Sequence, residues 1–343
     1  MKLGSTVGMR DDPDSFSQHV RRLEDAGVEY LWCGEAYTSD AVSALGFVAA
    51  VTKWAQIGSS ILPLYTRTPS VLAMTAVGLD RLSGGRFNLG IGASGPQVIE
   101  GFHGVPYDAP LARTAEIIEI CRSVWRRDRL EYSGAKYQIP LPAGEGTGLG
   151  KPLKLIDHPV RDRIPVYVAS LGPKNVEMTA AIAEGWLPLY FWPDRADRVW
   201  GDALRAGRAR RASDLPPLEI VAGGALAIGD DLEHLREEFR PTLALYFGGM
   251  GARGQNFYND VLRRYGYEQE AQQIQDAYLS GAKDAAAAMI PDELVAGLSL
   301  VGSERFVRDR IAAYAEAGVT ILNVRPTGPN GMADIETVAS WLA

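Results

Sequence analysis

The feature that most constrains the fold is a regular alternation of short apolar segments with longer amphipathic segments along the chain. Eight apolar segments of strand length are each followed by a stretch in which apolar residues recur at helical spacing. Parallel strands joined by helices produce this order, because a parallel connection needs a crossover of a dozen or more residues. The predicted strands cover 2–8, 30–35, 55–64, 87–92, 164–169, 185–191, 218–228 and 321–325.

Eight strand–helix units are the number that a (β/α)₈ TIM barrel requires. An open doubly wound sheet is the competing arrangement, but it rarely contains eight evenly spaced units. Two regions interrupt the rhythm: an excursion rich in Gly, Pro and Tyr at about 130–160 after strand 4, and a helical insertion at about 230–290 after strand 7. No linker divides the chain, so we predict an α/β barrel that forms one domain over residues 1–343.

Composition argues against several classes of function. The net charge of −7 is unfavourable for a general binder of nucleic acid or of anionic membranes. Cys33 and Cys121 are too few for a disulfide framework or a cysteine-rich zinc site, and no histidines are spaced as metal ligands. The N-terminal segment becomes acidic too early for a signal peptide, and no apolar run is long enough to cross a membrane. We therefore expect a cytoplasmic globular protein without a resident metal.

The glycines of Gly90–Gly95 follow a predicted strand in the order G-x-G-x-x-G, as dinucleotide-binding glycines do. Pro96 follows them directly, a proline-rich loop is expected before the next helix, and the motif lies on the fourth strand. These features disfavour a Rossmann site and favour a strand end over which a flat ligand lies close to the backbone. A barrel turn that binds no ligand is the alternative.

Two further strand ends are candidate binding segments. Ser170–Asn175 ends strand five and begins a helix, where free N–H groups, a serine hydroxyl and the helix dipole suit a phosphate. A plain N-cap with Pro173 in the first turn explains the same residues. Pro63 implies a bulge or an end in strand three, after which Tyr65 and Arg67 either line a pocket or belong to a solvated loop.

Taken together, Gly58–Pro69, Leu82–Gly104 and Val168–Pro173 resemble the bacterial luciferase-like monooxygenase superfamily. The resemblance is closest to its deazaflavin branch, the coenzyme F420-dependent oxidoreductases similar to methylenetetrahydromethanopterin reductase. Ala183–Leu187 and Leu322–Pro326 extend it through the chain. It implies a TIM barrel that binds F420 at the carboxyl ends of the strands and moves a hydride between C5 of the deazaflavin and a small organic substrate. It also implies a homodimer built on the early helices.

The resemblance assigns contacts with the cofactor to positions that match the family. It implies a non-prolyl cis peptide bond at Ser60–Ile61, behind the ring system. The residues implied to flank the flavin or its ribityl chain are Gly92, Ala93 and Ser94, and those implied to bind its phosphate are Ser170, Leu171, Gly172 and Pro173.

The end of strand two departs from the family. Several deazaflavin enzymes carry Asp-His there, whereas this chain has Glu35 and Ala36, so reactions that need the histidine are not expected. If a side chain transfers a proton, the candidate catalytic residues are Glu35, which we place against the cofactor, and Glu100, His103 and Tyr65 on the substrate side. Solvent is the alternative proton source. An FMN-dependent monooxygenase and a non-catalytic flavin-binding barrel are the alternative functions.

Overall fold

Eight parallel strands close into a barrel in the computed structural model, which describes residues 1–9 and 12–343. The final barrel strand pairs with the first in the register Lys2↔Ile321, which closes the sheet. This confirms the predicted (β/α)₈ barrel. The parallel strands are β1 Lys2–Thr6, β2 Tyr30–Cys33, β3 Gln56–Ser59, β4 Leu62–Pro63, β5 Phe87–Gly92, β8 Val166–Ala169, β9 Gly185–Trp186, β10 Glu219–Ala222, β11 Ala225–Ile228, β12 Leu300–Gly302 and β13 Ile321–Pro326, and β6 Tyr132–Ser133 and β7 Gln138–Ile139 form a separate hairpin.

Helices surround the barrel and begin at residues that suit a helix N-terminus. The Asp12 side chain accepts hydrogen bonds from the N–H groups of Asp14 and Ser15, and proline occupies the first turn of α1. The helices are α1 Pro13–Asp25, α2 Ala41–Val51, α3 Pro69–Leu82, α4 Pro96–Gly101, α5 Pro110–Trp125, α6 Pro173–Ile182, α7 Pro193–Ala196, α8 Asp202–Ala209, α9 Glu233–Glu237, α10 Arg240–Ala244, α11 Phe257–Arg264, α12 Glu268–Leu279, α13 Lys283–Ala288, α14 Asp292–Gly297, α15 Glu304–Glu316 and α16 Gly331–Leu342. None of the helices in the described ranges could span a membrane.

Two predicted strands are divided, and a third ends five residues early. The third barrel strand is interrupted between β3 and β4, and the seventh between β10 and β11. At the second interruption a Cβ on Gly223 would collide with the carbonyl oxygen of Asn323, so only glycine fits this close approach. The sixth strand ends at Trp186 rather than Phe191, because the chain turns away and Tyr190 adopts a left-handed φ of 57°.

The two predicted interruptions of the barrel are present, with different bounds. The hairpin of the excursion pairs Tyr132 with Ile139, two residues beyond its predicted end at Tyr137. Its turn is anchored by the Glu116 carboxylate of α5, which accepts hydrogen bonds from three successive backbone N–H groups. The helices of the insertion run from Glu233 to Gly297, and the added strand β12 extends the sheet beside β11. Sequence periodicity did not predict β12, which has only three residues.

Aromatic side chains fill the interior of the barrel below its carboxyl end. The rings of Trp32 and Tyr167 meet edge to face with centroids 5.1 Å apart. Trp32 lies across β3 at Gly58, where an added Cβ would be 2.6 Å from its Cε3 atom. At the amino end, Glu219 accepts hydrogen bonds from the Tyr167 hydroxyl and, over 3.0 Å, from Lys2 Nζ. The amino end is therefore packed, and the candidate site lies at the carboxyl end.

Candidate active site

The interruption of the third strand places the peptide between Ser60 and Ile61 at the carboxyl end of the barrel. This peptide bond is cis, as the family resemblance implies. Backbone hydrogen bonds connect the segment to the end of β2: Ser60 N donates to Cys33 O over 2.7 Å, and Glu35 N donates to Ile61 O over 3.3 Å. Residues 33–35 and 60–61 therefore form one continuous backbone surface.

The glycines at the end of β5 are required for packing against that surface. A Cβ on Gly90 would collide with the carbonyl oxygen of Ser59, whose hydroxyl bonds the backbone N–H and C=O of Gly90. Gly92 is buried, whereas Ala93 and Ser94 are half-buried, and Ser94 has a left-handed φ of 57°. The prediction of a long loop after Gly95 was wrong: α4 begins directly at Pro96, with Gly95 as its N-cap.

The loop at residues 170–173 leads from β8 into α6 and holds its carbonyl groups away from the helix N-terminus. Trp186 Nε1 donates to Ser170 O, and both Trp200 Nε1 and Arg264 Nη2 donate to Leu171 O. Gly172 is the N-cap of α6, so no side chain caps the first N–H groups of the helix. A Cβ at Gly172 would meet no atom within 4 Å, so the space beside the helix N-terminus is open.

The donors of this loop have the chemistry that a phosphate requires. The N–H groups of Leu171 and Gly172 have no acceptor within the described residues, and Pro173 provides the first turn of the helix. The Ser170 hydroxyl is buried and donates to Thr179 Oγ1 over 3.1 Å, because Thr179 itself donates to Asn175 O, so Ser170 is not a free donor for a phosphate. Free backbone donors at a helix N-terminus are a ready anion site.

Glu35 is an ion-pair partner rather than a free acid. Its two oxygens accept hydrogen bonds from Arg67 Nη1 and Nη2 over 2.6 and 2.9 Å, and Oε2 also accepts from Ala41 N at the start of α2. The Glu35 side chain is 8% exposed and that of Arg67 17%. A bidentate pair of this kind fixes the carboxylate in position.

Tyr65 lies in a cleft of about 790 Å³ at the side of the barrel mouth, together with Arg67 and Arg113. Its hydroxyl donates to Asp108 O over 2.8 Å, and burial raises its pKa well above the usual value for a tyrosine. Tyr65 is therefore held as a neutral hydrogen-bond donor.

Glu100 and His103 follow β5 on and just after α4. The exposed Glu100 accepts a hydrogen bond from Tyr107 N over 3.1 Å. His103 packs edge-on against Phe102, and its Nε2 atom is buried without a hydrogen-bond partner in the described part of the chain. The structure brings Glu35 next to Ser60–Ile61, but it forms no hydrogen bond linking Glu35, Glu100, His103 and Tyr65 with one another within the described ranges.

Sequence reasoning missed residues that reach the mouth from the helical insertion. Arg264 bonds to Leu171, which precedes it by 93 positions. Tyr246 and Tyr258 pack around Tyr190, which follows β9. The aromatic and glycine-rich composition of residues 245–258 was the available signal, but composition does not show which barrel loop a segment covers. Within the described residues, no group of three or more acidic, histidine or cysteine side chains could hold a metal ion.

The fold and these strand ends define a TIM barrel with a candidate ligand site at its carboxyl mouth. The sequence matches the luciferase-like monooxygenase family over residues 2–320, and the chain belongs to that family.

Individual relatives lie in the deazaflavin branch. A Mycobacterium tuberculosis protein provisionally named a coenzyme F420-dependent oxidoreductase, Rv3520c, is 43% identical over 332 residues, which are 94% of each chain. The 5,10-methylenetetrahydromethanopterin reductase of Archaeoglobus fulgidus is 26% identical over 93% of this chain and 92% of its own. The structure of the coenzyme F420-dependent tetrahydromethanopterin reductase of Methanopyrus kandleri superposes with a TM-score of 0.80 at 23% identity, over 98% of this chain and 97% of that one.

Proposed function

We propose that this chain is a coenzyme F420-dependent oxidoreductase, in which the bound deazaflavin would exchange a hydride at its C5 carbon with a small organic substrate. The observation that carries the proposal is the loop at residues 170–173. It presents unpaired N–H groups and an uncapped helix N-terminus to open space, at the position where the resemblance implies a phosphate. The 43% identity to a relative named for F420 favours this cofactor.

The residues of the mouth fit a flat ring joined to a phosphate. Ser60, Ile61 and Glu35 would lie behind the ring, Gly92, Ala93 and Ser94 would flank it or the ribityl chain, and the loop at residues 170–173 would bind the phosphate. Arg264 would stabilise that loop through its hydrogen bond to Leu171 O. Positioning of the cofactor and substrate is the main contribution expected from the protein, since the cofactor provides the reactive centre.

Proton transfer on the substrate side is assigned by elimination among the four candidates. Both carboxylate oxygens of Glu35 accept hydrogen bonds from Arg67, and the Tyr65 hydroxyl donates to Asp108 O. His103 Nε2 is buried without a hydrogen-bond partner in the described chain, so it is closed to a substrate, and Glu100 is the candidate that remains accessible. Glu100 is exposed and accepts from Tyr107 N.

Titration with F420, reduced F420 and FMN, followed by ligand and protein fluorescence, tests the cofactor assignment. We expect saturable binding of F420 and weaker binding of FMN. Tight binding of FMN without binding of F420 would reject the proposal in favour of the monooxygenase alternative. F420 binding without oxidation of reduced F420 by any electrophile of a broad panel would favour a non-catalytic barrel.

A homodimer is a separate proposal for the partner of this chain, which we place in the cytoplasm. Helix α2 contains no charged residue, and the neighbouring α3 exposes Val71, Met74 and Leu82 on its outer face. Gly78 lies between them, and a Cβ there would meet no atom within 4 Å. Light scattering should show a dimer for the natural chain and a folded monomer for Gly78→Arg. A monomeric natural chain would refute the proposal.

A further inference from the structure

Three tyrosines, here called the tyrosine cluster, lie together at the carboxyl end of the barrel: Tyr190, Tyr246 and Tyr258. Tyr190 follows β9, whereas the other two belong to the helical insertion, in the π-helical turn Leu245–Gly249 and in α11. The ring centroids of Tyr190 and Tyr246 are 5.2 Å apart, and those of Tyr246 and Tyr258 are 4.9 Å apart. Both contacts are edge to face, an arrangement that aromatic rings favour.

The hydroxyl groups of the tyrosine cluster are not used by the protein. None forms a hydrogen bond with a described residue, whereas the nearby Tyr265 and Tyr314 donate to backbone carbonyls. Burial raises the pKa of Tyr190 and Tyr258 well above the usual value, so both are neutral donors. None of the three hydroxyl oxygens belongs to the buried polar atoms that lack a partner in the described chain. The oxygens are therefore accessible to a ligand. Half-buried donors without a partner are available for recognition.

Arg325, at the end of β13, adds an uncompensated positive charge beside the cluster. Its guanidinium stacks over Phe239 with 5.1 Å to the ring centroid and forms no ion pair with a described carboxylate. Phe239 is the N-cap of α10, which continues directly into the turn that contains Tyr246, so Arg325 lies on the side of the mouth where the cluster lies. The charge of Arg325 also opposes the burial that raises the pKa of Tyr190 and Tyr246. Arg67 at the same mouth is, by contrast, neutralised by Glu35. Arg325 is therefore free to bind an anion.

Two loops on the opposite side provide further aromatic groups. Tyr37, after β2, is 57% exposed, and its ring centroid is 6.4 Å from that of Phe102. Three strands separate β2 from β9 in the barrel order, so Tyr37 and Tyr190 follow strands on opposite sides of the mouth. Aromatic surfaces on two sides and one cation at the edge define a slot for a flat molecule with one negative charge.

We propose that the substrate is a flat, largely apolar molecule with a carboxylate, which Arg325 binds while the tyrosine cluster contacts its apolar body. A guanidinium binds a carboxylate through two parallel hydrogen bonds, and one unpaired arginine matches a single negative charge better than a phosphate dianion. Aromatic side chains favour flat molecules because the rings can stack or meet edge to face. This substrate class rests on the proposed function, since it assumes that the cofactor occupies the same mouth.

Calorimetric titration tests the proposed substrate class. The acidic probes are trans-cinnamate and 2-naphthoate, and cinnamyl alcohol is the uncharged counterpart of trans-cinnamate. Each titration is run with and without F420. We expect the acids to bind at least about tenfold more tightly than the alcohol, and Arg325→Met to remove that preference while leaving the alcohol unchanged. Arg325→Lys should retain part of it. Arg308→Met, which removes a surface arginine paired with Glu304, is the control for loss of a charge.

The outcomes separate this inference from the proposed function. Equal affinity for acid and alcohol, no binding of either acid, or an unchanged preference in Arg325→Met would overturn it even if F420 binds. If Arg325→Met weakens F420 and not the acids, the arginine binds the acidic tail of the cofactor and the inference is wrong. Binding of the acids that depends on Arg325, in a chain that does not bind F420, would support the slot and reject the cofactor.

Discussion

Replacement of Arg264 by methionine should weaken the binding of coenzyme F420 and leave binding of its phosphate-free deazaflavin–ribityl fragment unchanged. Arg264 donates to Leu171 O over 2.8 Å and to Val199 O over 3.1 Å, and it has no carboxylate partner in the described chain. Burial lowers the pKa of Arg264, but an arginine remains ionised at neutral pH. The substitution therefore removes both a positive charge near the loop at residues 170–173 and one of its attachments.

The magnitude follows from the hydrogen bonds that hold this loop. A hydrogen bond to a charged group contributes roughly 1.5–3 kcal/mol. Trp200 Nε1 donates to the same Leu171 oxygen, so the loop keeps part of its order without Arg264. We therefore expect about 1.4 kcal/mol, a tenfold loss of F420 affinity. The fragment without the phosphate should change less than about twofold, since it does not occupy the loop.

Fluorescence titration of both ligands measures the difference, with thermal unfolding recorded for each variant. Arg263→Met is the matched control, because Arg263 is the adjacent residue of α11 and its Nε donates to Asn259 within the insertion. Equal weakening of both ligands would indicate a general loss of structure. If a folded Arg264→Met protein binds F420 with unchanged affinity, one of two statements is wrong. Either the loop at residues 170–173 does not bind the phosphate, or Arg264 does not order that loop.

Three further predictions concern stability and reactivity. Arg67→Met should lower the free energy of unfolding by about 3–5 kcal/mol in urea denaturation, because it leaves the buried Glu35 carboxylate without its partner. Gly58→Ala should cost about 1–3 kcal/mol in the same assay, since its Cβ would press on the indole in the barrel interior. Burial raises the pKa of Cys33 and Cys121 to about 12, so neither thiol should react with iodoacetamide at pH 8 until urea unfolds the chain.

Exposed counterparts serve as controls for these predictions. Arg205→Met removes a surface arginine that pairs with Asp197 and Asp202 and should leave the urea midpoint nearly unchanged. Gly101→Ala adds a Cβ where no atom lies within 4 Å and should change stability by less than about 0.5 kcal/mol. If Arg67→Met and Arg205→Met changed stability equally, the charge argument would be wrong, and the same result for Gly58→Ala and Gly101→Ala would contradict the packing argument. Alkylation of the folded protein would contradict burial of the thiols.

The barrel was predictable because each strand–helix unit has its own hydrophobic period and its own stop signals. Phe87–Gly92 was predicted to the residue, since a short apolar run between glycines has few other conformations. Strand six was predicted too long, because the end of this apolar run has a different role: Tyr190 adopts a left-handed φ and packs against Tyr246 and Phe247 of the insertion. Periodicity describes burial and does not distinguish a strand from a buried turn.

The candidate site was predictable only where it belongs to a strand end. The cis peptide at Ser60–Ile61 and the loop at residues 170–173 follow from local sequence and a family resemblance. The contacts of Arg264 and of the tyrosine cluster join segments far apart in sequence, and their partners are carbonyls and rings that leave no motif. Whether the residues assigned to the cofactor and to proton transfer do that work stays a prediction.

The contacts of the helical insertion have a consequence for the evolution and engineering of this enzyme. Arg264 and Tyr258 lie on the same short helix, α11, one on the loop assigned to the cofactor phosphate and the other in the slot assigned to the substrate. A change that re-orients this helix would therefore alter preference for the substrate and retention of the cofactor at the same time. Libraries that redesign the insertion for new substrates would need to select for both properties together.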